Sequence, residues 1–161
     1  MRFLLVQHQI AGSSQPVGSG ALRHQIAKLE GFEAPLGAWE HDLLPARLAY
    51  EPEAMDRLFV NGEVMWGRLQ PPRMVDDSRG QILTRATPIS LVNRGDLGWL
   101  LPAEREISVG FARWDAQEVY EALVTHGALF FHDLLSITSL LPAQVEEALR
   151  ELAALGVVTS D

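Results

Sequence analysis

The sequence predicts an α+β fold in three consecutive parts. Three observations carry this. Apolar residues recur at helical spacing in several segments, each closed by proline or glycine. One segment, Glu63 to Leu69, alternates in the manner of a half-buried strand. The last third has the order of a winged helix: three helices with a short turn between the second and third, then a strand. The expected partition is a helical or winged-helix-like part over residues 1–69, a small β-rich unit continuing the sheet as a partial barrel over 70–107, and a winged helix over 108–161, cut within its wing and so read as a fragment of a longer protein.

Arg2 to Ile10 is rich in β-compatible apolar residues and reads as a strand. Ala11 to Gly20 (AGSSQPVGSG) is a turn-rich loop. No Gly-Lys-Ser/Thr follows it, so it is not a phosphate loop. Ser19 is positioned to cap the next helix. There Leu22, Ile26 and Leu29 share a face, and Gly31 is the stop. Pro35 opens a second helix, where its missing N–H is harmless. Leu36, Trp39 and Leu43 fall on one face, and Pro45 ends the run. Pro52 opens a third helix with Met55, Leu58 and Phe59 inward, and Asn61-Gly62 closes it. In the strand that follows, Val64, Trp66 and Arg68 point one way, Met65 and Leu69 the other.

Gln70 to Gly80 (QPPRMVDDSRG) is hydrophilic and marks the internal boundary. Gln81 to Leu91 reads as a strand that Pro88 confines to an edge or a bulge. Asn93 to Gly98 is a turn, and Trp99-Leu100-Leu101 re-enters a core. Asp115 and Glu118 have capping-box spacing for a helix over Ala116 to His126, with Gly127 as its C-cap. Phe131, Leu134 and Leu135 mark a second helix. Pro142 opens a third, with Val145, Leu149 and Leu152 inward, before a strand at Val157 to Thr159.

Composition narrows the function. The chain has 161 residues, is 47% apolar and carries no cysteine. It is long enough for a sizeable core, lacks a disulfide framework, and fits a cytoplasmic protein. No apolar run approaches the ~20 residues that span a membrane, so no membrane partner is expected. The net charge of −8 opposes strong autonomous binding to nucleic acid. The cations are nonetheless almost all arginine, the better planar partner for phosphates and bases.

Trp39 has two readings from the residues alone: core packing with Leu36 and Leu43, or an indole on which a base stacks. Trp66 and Arg68 share a strand face and suit stacking with phosphate contact, or a core indole beside a snorkelling arginine. Arg47, Arg85 and Arg94 are further phosphate candidates if they cluster. The third helix of the C-terminal module offers Gln144, Glu146, Glu147, Arg150 and Glu151 outward. That face suits protein contact, including a homo-oligomer, better than a DNA groove. The five histidines show no metal-ligand spacing.

The runs GFEAP, AWE, LPAR, GEVMWGRL and RATPISLVNRGDLGWLL, in this order, resemble the non-motor region of Lhr-type, or large helicase-related, DNA helicases. The resemblance implies a segment of an ATP-dependent 3′–5′ helicase that contacts the tracking single-stranded DNA, with Trp39 as the stacking residue. It implies no cofactor in this segment, since ATP and Mg belong to motor domains elsewhere in the same chain. It also implies a role in DNA repair. Lhr C-terminal regions are similar to winged-helix DNA glycosylases with a Gln-x-Gln motif, which Gln7 and Gln9 spell here; a glycosylase-like repair domain is the alternative, and a structural or oligomerising module is a third reading.

Overall fold

The structure is a computed structural model that describes residues 16–70, 83–101 and 111–160. Gln7, Gln9 and the strand expected over Arg2 to Ile10 lie outside the described residues. The chain forms two units, the first holding described residues 16–69, 85–101 and 159–160, the second built on residues 111–158.

The first unit opens with helix α1 (Ser19–Leu29), which buries Leu22, Gln25 and Ile26. Gly18 at φ 88°, not Ser19, is its N-cap. Gly31 turns the chain at φ 80° into strand β1 (Ala34–Pro35). Helix α2 (Leu36–Ala38) follows and widens at once into a π-turn over Trp39–Leu43. The Leu44 N–H donates to the Trp39 carbonyl at 3.1 Å, five residues back. The extra residue moves the inward position on by one. Trp39, Leu44 and Leu48 are therefore buried, whereas Leu43 is only half-buried and Leu36 is exposed. Helix α3 (Pro52–Val60) starts on Pro52 and buries Ala54, Met55 and Leu58. Asn61 caps it and Gly62 turns the chain at φ 65° into strand β2 (Val64–Gly67).

Strand β3 (Pro88–Asn93) completes an antiparallel sheet of order β1-β3-β2. The expected partial barrel over 70–107 is therefore corrected. The strand in that interval is the central strand of the first unit, paired with Ala34–Pro35 on one side and Val64–Gly67 on the other. Pro88 does not force an edge, because it is the first residue of β3 and faces Pro35, at the end of the ladder where missing N–H groups are harmless. The element order of helix, strand, helix, helix, strand, strand is that of a winged helix, with β2 and β3 as the wing. After β3 come a 3₁₀ turn (Arg94–Asp96) and helix α4 (Leu97–Leu100).

In the second unit, helices α5 (Trp114–His126), α6 (Phe131–Thr138) and α7 (Pro142–Leu155) surround Val119, Leu134, Val145, Ala148 and Leu152. Gly127 and Gly156 end α5 and α7 with positive φ. The expected Asp115–Glu118 capping box is not formed. The helix begins two residues earlier, at Trp114, and Asp115 is a buried member of its first turn. The Arg113 guanidinium clamps both its oxygens, and Oδ1 also accepts the Ala116 N–H at 2.9 Å. Glu151, expected outward, faces in: it is buried, and its Oε1 accepts the Ala112 N–H at 2.7 Å. The expected strand at Val157 to Thr159 does not form; an isolated bridge falls on Ser160 instead. Val157 and Val158 pack on the second core, while Ser160 pairs with Trp66 in the first unit.

Candidate nucleic-acid interface

A stacking platform needs an indole with a wet face, and a phosphate clamp needs guanidinium groups close together. Trp39 fails the first condition. It is 0% exposed, at the centre of the first core, with Nε1 donating to the Ile89 carbonyl at 2.9 Å. Both ring faces are covered, so the expected base-stacking role of Trp39 is corrected to a core role. An indole buried in a sheet-and-helix core needs a partner for its N–H, and the central strand supplies one.

Arg47 is held by its own helix. The π-turn leaves the Leu43 carbonyl without its usual backbone donor, because the Arg47 N–H goes to Leu44 at 2.9 Å. The Arg47 side chain fills that vacancy, with Nη1 at 2.7 Å from the Leu43 oxygen. Its Nε is buried with no partner among the described residues, and burial lowers its pKa. The expected phosphate role of Arg47 therefore gives way to one of closing the turn. Tyr50, three residues on, is half-buried; burial, with Glu40, Asp56 and Glu53 adding to it, pushes its hydroxyl up to about 12.

Trp66 and Arg68 lie at the wing end of β2, both half-buried, and Arg85 is exposed shortly before β3 at that same end. The ring of Trp66 rests partly on the first core. Its backbone N–H donates to Ser160 at 3.1 Å and its carbonyl accepts the Thr159 hydroxyl. Arg94 sits beyond the other end of β3, where its N–H donates to the Glu63 carbonyl at 2.9 Å. Six residues of β3 separate the two ends, about 20 Å at ~3.3 Å per residue. The six candidates are thus divided among a sealed core (Trp39), a closed turn (Arg47), the wing end (Trp66, Arg68, Arg85) and the opposite end (Arg94).

The exposed indole of the first unit is Trp99, expected inside and found 68% exposed on α4. Helix α4 packs on the turn after α1: a Cβ at Gly31 would stand 3.8 Å from the Leu100 side chain. That turn carries Phe32, itself half-exposed and set edge-on against Trp39 at 6.1 Å. Trp39 therefore braces an aromatic side chain that does reach the surface. The sequence held one signal for this exchange. Leu97-Gly98-Trp99-Leu100 is a single helical turn, which can bury one side at most.

Charge at this end is mixed. Arg94 is exposed, and Asp96 lies in the same 3₁₀ turn. Glu30, at the end of α1, accepts from the Asn93 backbone and side-chain amides at 2.9 and 2.8 Å. Burial raises its pKa; the Asn93 bonds oppose this, and neighbouring Asp96 reinforces it. The outer face of α3, which a winged helix would turn towards a groove, carries Glu53, Asp56 and Arg57. Two carboxylates against one guanidinium would be repelled by duplex phosphates. Among the described residues, no group of three or more His, Asp or Glu is placed to hold a metal ion. No described helix is long and apolar enough to cross a membrane.

Comparison with known proteins agrees with this architecture. Over 157 residues, 95% of its length, the chain is 26% identical to a protein of Mycolicibacterium smegmatis named "Lhr helicase/ probable uracil glycosylase". It spans about a tenth of that relative, since the match covers 10% of the longer protein. The family described as "Large helicase-related protein, winged-helix domain" matches residues 1–94, which contain α1 to β3 and the whole three-stranded sheet. With that match over more than half its length, the chain belongs to the winged-helix domain family of large helicase-related proteins.

Proposed function

We propose that the first unit is a strand-contacting module of a large helicase-related DNA helicase, gripping single-stranded DNA by stacking on Trp99, with Arg94 reaching phosphate. The observation that carries this reading is the exposure of Trp99 on α4, a helix whose Leu100 packs on the turn that presents the braced Phe32. Arg68 and Arg85, with Trp66 on wing strand β2, form a second contact further along the DNA strand. Stacking accepts any base, so the grip is independent of sequence, as a moving helicase requires. ATP hydrolysis and 3′–5′ movement are assigned to motor domains of the same parent chain. The acidic balance makes the contact weak alone and dependent on that motor.

The test is fluorescence anisotropy of a labelled oligo-dT across a salt series. Trp99→Ala should weaken binding by about 1–3 kcal/mol, the usual worth of one stacked base. Arg94→Ala should lower the salt slope by about 0.7. Unchanged affinity in Trp99→Ala would reject the site.

A second reading comes from the relative's printed name, which includes uracil glycosylase. Gln7 and Gln9, two residues apart in sequence, are its candidate water-orienting groups. Release of uracil from single-stranded DNA, abolished in both Gln7→Ala and Gln9→Ala, would support it. Release that survives both substitutions would remove these residues from the chemistry.

A further inference from the structure

The second unit exposes apolar side chains where local structure favours polar ones. Phe130 is the N-cap of α6 and Leu141 the N-cap of α7. An N-cap is normally Ser, Thr, Asp or Asn, whose oxygen accepts an N–H of the first turn. Phenylalanine and leucine have no such oxygen. Only the return bond is made at each start: the Asp133 carboxylate accepts the Phe130 N–H at 3.1 Å, and the Gln144 amide oxygen accepts the Leu141 N–H at 2.9 Å. Phe130 is 83% exposed and Leu141 67% exposed. Neither side chain serves a cap or the core.

Helix α6 between them is also more apolar than its burial explains. Of its Phe131, Leu134, Leu135 and Ile137, Leu134 alone is buried, and Phe131 and Ile137 are exposed. A helix apolar on most sides is normally covered. Its eight residues are about 12 Å long, which is the spacing of anchors at i and i+7 or i+8 on a second helix.

Charge decides the occupant. Residues 111–158 hold seven carboxylates and two arginines, a net of −5. Both arginines are engaged, Arg113 by Asp115 and Arg150 by Glu146 and Glu147. Glu118 and Glu121 on α5 are exposed. Such a surface repels nucleic acid and anionic lipid alike and attracts lysine and arginine.

We infer that the α6 face, anchored by Phe130 and Leu141, docks a basic amphipathic helix of another polypeptide. Apolar residues of that helix cover the two anchors and Ile137, and its lysines or arginines meet exposed carboxylates of the same unit. The surface is separate from the strand contact proposed for the first unit and does not depend on it.

The experiment uses the whole chain and two labelled helical peptides of one apolar pattern, one of leucine and lysine, the other of leucine and glutamate. The leucine–lysine peptide should bind, more weakly as salt rises, and the leucine–glutamate peptide at least tenfold more weakly. The double variant Phe130→Ser/Leu141→Ser should lose binding at least tenfold. Its melting temperature should not fall, because serine is the better N-cap at both positions. The inference is overturned by equal binding of the two peptides, by no binding of either, or by unchanged binding in the double variant. A concentration-dependent dimer that the double variant abolishes would also overturn it, making a second copy the occupant.

Discussion

The Trp39 indole N–H donates to the Ile89 carbonyl at 2.9 Å, tying the π-turn to the central strand inside the first core. One bond thus joins segments 50 residues apart and orients a ring that the first core buries. A buried indole N–H left without an acceptor would carry its full desolvation penalty.

Trp39→Ala should therefore destabilise the first unit by about 3–5 kcal/mol. Trp39→Phe, which keeps most of the volume and leaves the Ile89 carbonyl its ladder partner Ala34, should lose about 0.5–1.5 kcal/mol, the usual net worth of one hydrogen bond. Urea unfolding measures both. Full stability in Trp39→Ala, with DNA binding lost instead, would return this residue to the interface.

The π-turn makes a contrast between neighbours. Leu44→Ala should lose about 2–5 kcal/mol, as a fully buried leucine does. Leu36→Ala, at an exposed position, should stay within about 0.5 kcal/mol. A regular α-helix through this segment would reverse the order for Leu43 and Leu44, so Leu43→Ala completes the set. Equal losses at 43 and 44 would contradict the widened turn.

Asp115 provides an acid-side signature. Hydrogen bonds from Arg113 hold its carboxyl below the ordinary value of 3.8. A depressed carboxylate stabilises the fold above its unfolded value, and that contribution disappears as pH falls through the folded one. Asp115→Asn should melt below the wild type at neutral pH, and the gap should close in acid below pH 3.8. A gap of constant size down to the acid limit would show that the ion pair contributes nothing.

Glu30 runs the other way. Burial raises its carboxyl above 4.5, so the contribution of the protonated form is complete below that value and is lost as pH rises through the folded one. Glu30→Gln can still accept the Asn93 amides. Wild type should therefore lose stability relative to Glu30→Gln as pH climbs from 4.5. Parallel melting curves across that range would mean the carboxyl ionises without hindrance.

Much of this architecture was legible because it is local. The inward face of α1, Pro52 at the head of α3, the Asn61-Gly62 stop, the Gly127 cap and the paired helices of the second unit all follow from side-chain spacing and backbone chemistry within a few residues. What escaped is not local. Pairing of Ala34 with Ile89 is backbone chemistry between distant segments, so the sequence alone places residues 70–107 in a β-rich unit continuing the sheet and misses that β3 is its central strand. The Leu43–Leu44 exchange arises from one inserted helical residue that leaves no compositional mark. Periodicity makes an amphipathic helix, but it does not say which of two tryptophans meets water. Trp39 found a carbonyl partner on the central strand, while the four-residue helix around Trp99 buries none of its residues. Asp115 looked like a cap by spacing, yet Arg113 drew it inward as a partner.

The bridge between Trp66 and Ser160, reinforced by the Thr159 hydroxyl across 93 residues, bears on synthesis as well as stability. Strand β2 has a bare edge until residue 160 leaves the ribosome, by which time all three helices of the second unit have been made. Those helices depend on near-neighbour contacts and can settle early; the sheet waits for its last, most remote strand contact. Any version shortened before Thr159 keeps every helix described here yet leaves that edge open to pairing with another chain, so insoluble material would be its characteristic failure.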